Sequence, residues 1–157
     1  MKIKSILLSV VLISGILLVS CKKEDDGTPV GSNGSISLSY DGSSWNASMS
    51  VQAVNSGGVI NVTGSDASAH QAAVNLFGVS APGTYVVGAN GNSGNSIRWT
   101  EGIDPKQTYT ASFVLGKGTI TVTELSATNI KGTFSGTVYN TDQTSKVITN
   151  GKFDAKF

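Results

Sequence analysis

One cysteine and one histidine stand in 157 residues, and each scarcity removes a class of chemistry. Cys21 has no second thiol, so no intramolecular disulfide can form, although secreted domains commonly carry paired cysteines. His70, in Ser68-Ala69-His70-Gln71, has no second imidazole, whereas a metal site usually draws on several His, Cys or carboxylate ligands. A Ser-His-Asp arrangement would have to use His70, and no Gly-x-Ser-x-Gly elbow accompanies it. His70 is therefore expected as an exposed loop residue. Charge is sparse too, at 13% of residues, with no basic stripe that would give nucleic acid an electrostatic foothold. Calcium loops, phosphate-cradling glycine loops and dinucleotide fingerprints are missing, so no cofactor is expected. The most apolar stretch, Ile6 to Val19, is shorter than the roughly 18 to 20 residues of a membrane-spanning helix.

What that stretch does have is an address. Lys2 and Lys4 precede it, Leu18-Val19-Ser20-Cys21 closes it, and Lys23-Glu24-Asp25-Asp26 follows. A basic start, a short apolar centre and a small-residue cut site make a secretory signal over residues 1–20. Leu18-Val19-Ser20-Cys21 resembles the lipobox of bacterial lipoproteins. That resemblance implies cleavage before Cys21, palmitate-type acylation of its sulfur and amino group, and anchorage to the outer membrane. Three acyl chains would hold permanently, because stable attachment needs at least two membrane signals.

The chain from Cys21 onward is one ordinary domain in length. Without Lys2 and Lys4 it carries nine basic and ten acidic side chains. Residues 21–35 are polar and glycine-rich with almost nothing apolar, and read as a flexible tether. Its fourteen residues after the cysteine would span on the order of 20 Å on average and about 50 Å at full stretch. Lys23, Glu24, Asp25 and Asp26 can be a solvated cluster that keeps the tether extended. They also resemble the surface-export signal of Bacteroidota lipoproteins, apart from the extra Lys22, and that resemblance implies display at the cell surface.

Residues 36–157 alternate with period two and read as a single all-β domain. Ile36, Leu38 and Tyr40 alternate with serines, and Trp45, Ala47, Met49, Val51 and Ala53 with polar residues. Ala72 to Val79 is more continuously apolar, as in a strand buried on both faces. Asp41-Gly42, Asn55-Ser56-Gly57-Gly58, Pro82-Gly83 (as a type II turn) and Gly116-Lys117-Gly118 (as a tight hairpin) mark turns. Tyr109, Ala111, Phe113 and Leu115 are expected to share one face of a strand. Ile130, Gly132, Phe134, Gly136 and Val138 share another, where the glycines imply a bulge or the close approach of a large ring from across the core. Asn150-Gly151 is expected to kink one long last strand that ends in Phe153 and Phe157. About nine to ten short strands predict an antiparallel β-sandwich or a flattened β-barrel.

The fragments Asp41-Gly42-Ser43-Ser44-Trp45-Asn46-Ala47, Gly83-Thr84-Tyr85, Gly118 to Thr123, Gly132 to Gly136 and Thr149-Asn150-Gly151-Lys152-Phe153 together resemble a family of small Bacteroidota lipoproteins of unassigned function. The resemblance implies a small envelope β domain and carries over no catalytic residue.

For chemistry, the acids beyond the tether are scattered. Asp41 and Asp104 suit turns, and Glu101 and Glu124 would need to converge to form a glycosidase pair. The expectation is a protein that is not an enzyme. Trp45 reads as a core ring. Trp99 shares a face with Ile97, which favours core packing, yet it lies between two loops beside Arg98 and Glu101, a set that could stack on a sugar or anchor a protein. The reading is a lipid-anchored surface module that binds a glycan or protein ligand. Its rivals are a periplasm-facing accessory lipoprotein that binds an envelope protein and, more remotely, a small hydrolase.

Overall fold

A computed structural model describes residues 33–92 and 94–157. The signal, Cys21, Lys23-Glu24-Asp25-Asp26 and the tether as far as residue 32 lie outside the described residues. Gly34 and Ser35, expected as the end of the tether, already pair with Ala155 and Asp154 as the start of the first strand. Within them the chain forms eleven strands: β1 (Gly34–Tyr40), β2 (Ser43–Asn46), β3 (Met49–Ser56), β4 (Val59–Ser65), β5 (His70–Phe77), β6 (Gly83–Val87), β7 (Ser96–Glu101), β8 (Thr108–Ala111), β9 (Lys117–Leu125), β10 (Asn129–Tyr139) and β11 (Ser145–Lys156). One 3-10 turn, Pro105–Gln107, is capped by the Asp104 side chain.

All eleven strands pair antiparallel in one sheet; nine follow the order β2-β1-β11-β10-β8-β7-β5-β4-β3, and β9 also pairs β10 and carries β6. The sheet curls into a half-barrel that wraps its own core, so the expected all-β class holds. Its core includes Ile36, Leu38, Trp45, Val62, Val74, Ile97, Trp99, Ile120, Phe134 and Phe153, one side of each alternating strand. The first and last strands are neighbours, with Ile36 opposite Phe153.

Two strands of this sheet are interrupted in the same place. β8 and β9 lie end to end along β10, with Thr110 opposite Tyr139 and Lys117 opposite Thr137. β7 pairs β8 and β6 pairs β9, so the chain leaves the sheet at Gly88 beside the point where the segment from Ser112 to Gly116 rejoins it. This corrects the hairpin expected at Gly116-Lys117-Gly118. The bond from Ser112 N–H to the Leu115 carbonyl closes a turn that lifts residues 112–115 off the sheet. Phe113 and Leu115 are exposed instead of sharing the face of Tyr109 and Ala111.

Turn chemistry explains the tight connections. Asp41 and Gly42 both take positive φ (47° and 85°) between Tyr40 and its partner Ser43, the two-residue geometry that follows strand twist. Gly57 and Gly58 do the same between Ser56 and Val59. Pro82-Gly83 does not form the expected type II turn: Gly83 is already the first residue of β6 and has no positive φ. The expected kink at Asn150 is present. It has φ of 52°, and pairing with β10 shifts register between Phe134 and Gly136. The inward side of β11 therefore changes phase, from Lys146 and Ile148 before the kink to Gly151, Phe153 and Ala155 after it.

Candidate functional site

At the pole where β7, β10 and β1 end, aromatic rings and charges form one connected cluster. Its centre is Trp99, carried inward on β7 and fully buried. Tyr40 lies against it at 4.7 Å between ring centroids, Trp45 meets it edge-on at 5.0 Å, and His70 stacks parallel at 5.6 Å. Offset and edge-to-face arrangements of this kind are favoured by the ring quadrupoles.

Carboxylates close the polar edges of the rings. Asp66 accepts from Trp45 Nε1 at 2.7 Å and meets His70 Nδ1 at 2.9 Å, and its other oxygen accepts from the backbone N–H groups of Ser68 and His70. Burial alone would push the Asp66 carboxyl up, but the bonds from Trp45, His70 and the turn outweigh it and hold the group below its ordinary value. Glu101 accepts from Trp99 Nε1 at 3.1 Å and pairs with Lys146 at 3.0 Å. Lys146 also pairs with Asp41 at 2.8 Å and lies over the rings of Tyr40 and Tyr109, at 5.4 and 5.2 Å. Partial burial would lower its ammonium, yet the two carboxylates hold it well above the usual lysine value.

The Trp99, Arg98 and Glu101 set is thus rearranged. Trp99 has no exposed face on which a sugar could stack, because alternation on β7 turns it into the half-barrel. Arg98 points the other way, opposite Ala73, and donates to Gln71 at 3.0 Å. Glu101 remains with Trp99 and is spent on Lys146. His70 is also not the exposed loop residue expected: it opens β5, half-buried, because Asp66 and the Trp99 ring draw it in. Glu101 and Glu124 do not converge, since Glu124 lies far along β9 opposite Lys131. Among the described residues no three His, Cys, Asp or Glu side chains gather as a metal-ligand set.

Tyr40 and Tyr109 stand out in the sequence only as members of alternating strands, and Lys146 not at all, so their place in the site is not legible there. The available signal was Lys146 itself, which shares an inward phase with Ile148 and so had to meet counter-charges.

The outer face is different in kind. It carries hydroxyl, amide and ammonium groups with the carboxylates of Glu124 and Asp154, and three shallow grooves of about 370, 310 and 250 Å³ share Lys152 among their walls, the last with Asp154 as well.

A family model matches residues 32–155, nearly the whole described domain, under the description "Domain of unknown function (DUF6252)". The chain belongs to the DUF6252 family. No curated protein and no solved structure matches it. The DUF6252 domain of this chain is therefore the half-barrel itself, from the first strand to Ala155, with the aromatic cluster at one pole.

Proposed function

We propose that this protein is a lipid-anchored, non-catalytic outer-membrane lipoprotein of the Bacteroidota type, acylated at Cys21 and displayed at the cell surface to capture an extracellular ligand. The observation that carries this reading is where the chain joins the half-barrel. Gly34 pairs with Ala155 beside Asn129, whereas the aromatic cluster and the Pro105–Gln107 turn lie at the other end of β10. The eleven residues of β10 separate the two poles by on the order of 35 Å. A lipid on Cys21 would hold one pole near the membrane and leave the other, with the long outer face, free to meet ligand. The acids of the cluster support a non-catalytic role, because Asp66 and Glu101 are committed to indole, imidazole and ammonium partners.

Antibody labelling of intact cells, with protease added before and after the outer membrane is opened, tests the topology. Labelling and cleavage on intact cells are expected. Protection until the membrane is opened would overturn surface display. It would favour the rival reading of a periplasm-facing accessory protein, for which the exposed Phe113-Val114-Leu115 loop is the specific observation, with Val114 90% exposed.

A further inference from the structure

We infer that the outer face of β1, β11, β10 and β9 is a binding surface for an anionic polysaccharide, a proposal that rests on the capture reading above and names its ligand class. Strand registers place one row of side chains across six strands: Asn46, Ser37, Lys152, Thr133, Thr121 and Thr84. All six belong to the outward phase, opposite the buried set. Neighbouring strands are about 4.8 Å apart, so the row extends about 24 Å. Adjacent hydrogen-bonding groups thus recur at a spacing comparable with one pyranose ring. Hydroxyl and amide groups at that interval can exchange donors and acceptors with the hydroxyls of an extended sugar chain.

Lys152 stands in the middle of this row and lines all three outer grooves. Its ammonium has no carboxylate partner among the described residues. Charge is also segregated around it. Lys117, Lys131, Lys152 and Lys156 lie outward on these strands against only Glu124 and Asp154, the latter paired with Lys131. Asp41, Asp66, Glu101, Asp104 and Asp142 belong to the loops and strand ends of the other pole, together with Lys106 and the inward Lys146. An uncompensated cation among neutral donors fits a polymer that is mostly hydroxyl with spaced carboxylate or sulfate groups. No aromatic side chain interrupts the six-residue row, so the stacking platform that single-stranded nucleic acid needs is missing there.

The acylated protein in detergent micelles, run on native gels containing polygalacturonate, tests the assignment. Retardation by polygalacturonate but not by neutral dextran is expected, weakening as salt is raised. K152Q should bind about tenfold more weakly, the loss of one charge-assisted contact. The pair T121V and T133V should weaken binding severalfold with the charge kept. Lys152 is exposed, so K152Q should melt like the parent, and its result stands even if the double variant unfolds. No retardation, equal retardation of K152Q, or partition only onto phosphatidylglycerol vesicles would each overturn the proposal. Purified protein is used, so this outcome is independent of which membrane face the domain occupies in cells.

Discussion

At the scale of single residues, the cluster around Trp99 is governed by two titratable groups with opposite linkage. Asp66 is held below its ordinary value in the folded chain. It therefore contributes stability above the unfolded value near 4, and that contribution is lost as pH falls through the folded value. Asp66→Asn should cost about 1–3 kcal/mol at pH 7, because the indole and the turn lose a charged acceptor. The gap to the parent should narrow in urea melts below about pH 4. A gap that persists unchanged to pH 2 would show that charge on Asp66 does not matter. Lys146 runs the other way. Its folded value is raised, so its contribution is complete below the unfolded value near 10.4 and is lost only as pH climbs through the folded one. Lys146→Met keeps the apolar stem over Tyr40 and Tyr109 but strands Asp41 and Glu101. With the Lys146 side chain 15% exposed, the expected cost is about 2–4 kcal/mol, somewhat below that of breaking a fully buried pair. Denaturant melts at pH 7 that coincide with the parent would sink this account.

At the scale of elements, β10 and β11 hold each other through a reciprocal exchange of rings and glycines. Gly132 lies opposite Phe153, and Phe134 lies opposite Gly151. A Cβ added at Gly132 would meet the Phe153 ring, with its Cζ at 2.6 Å, and the Thr121 carbonyl; one added at Gly151 would meet the Phe134 ring and carbonyl. Each phenylalanine thus lies over the bare backbone of its partner strand, and the two rings meet at 6.3 Å. Gly132→Ala should lower stability by about 1–3 kcal/mol, since the obstructing Thr121 carbonyl is backbone and cannot step aside. A thermal melt that does not move would show that the strand carrying the Thr121 carbonyl, as well as the ring, gives way without cost. This arrangement also marks what the sequence could and could not disclose. The inward phase of Ile130, Gly132, Phe134 and Val138 was legible from period two, as was the kink at Asn150. That the ring covering Gly132 comes from the adjacent strand, rather than across the core, depends on register, which no local pattern carries. The same limit explains Trp99: alternation with Ile97 pointed inward, but its burial rests on Tyr40, Trp45 and His70, brought from three other places in the chain. The break between β8 and β9 was misread because residues 109–115 keep their alternation while Ser112 and Leu115 bond to each other instead of to a strand.

At the scale of the whole molecule, the sheet order makes the last strand the one on which the fold depends. β11 lies between β1 and β10, so the C-terminal strand joins the first strand of the chain to the strand before it. Pairing Ile36 with Phe153 closes a loop of more than a hundred residues, an ordering cost that β1 recovers only when β11 is in place. Such non-local pairing also predicts slow folding, in milliseconds to seconds for a β domain. β2, β3 and β6 each pair with a single strand and remain edges, although Val51 of β3 accepts from the Asn33 N–H that leads into β1. Deleting residues 152–157 removes Phe153 and Ala155 from the core and takes away the partners of Gly34, Ser35 and Ile36. Cooperative thermal unfolding, followed by far- and near-ultraviolet circular dichroism, should disappear. Deleting Phe157 alone, which is 36% exposed and bonds only to the Thr128 carbonyl, should leave a cooperative transition with a small shift. If the longer truncation still melts in one sharp step near the parent temperature, β1 must find its stability elsewhere, and β11 would be a cover on a sheet already complete without it.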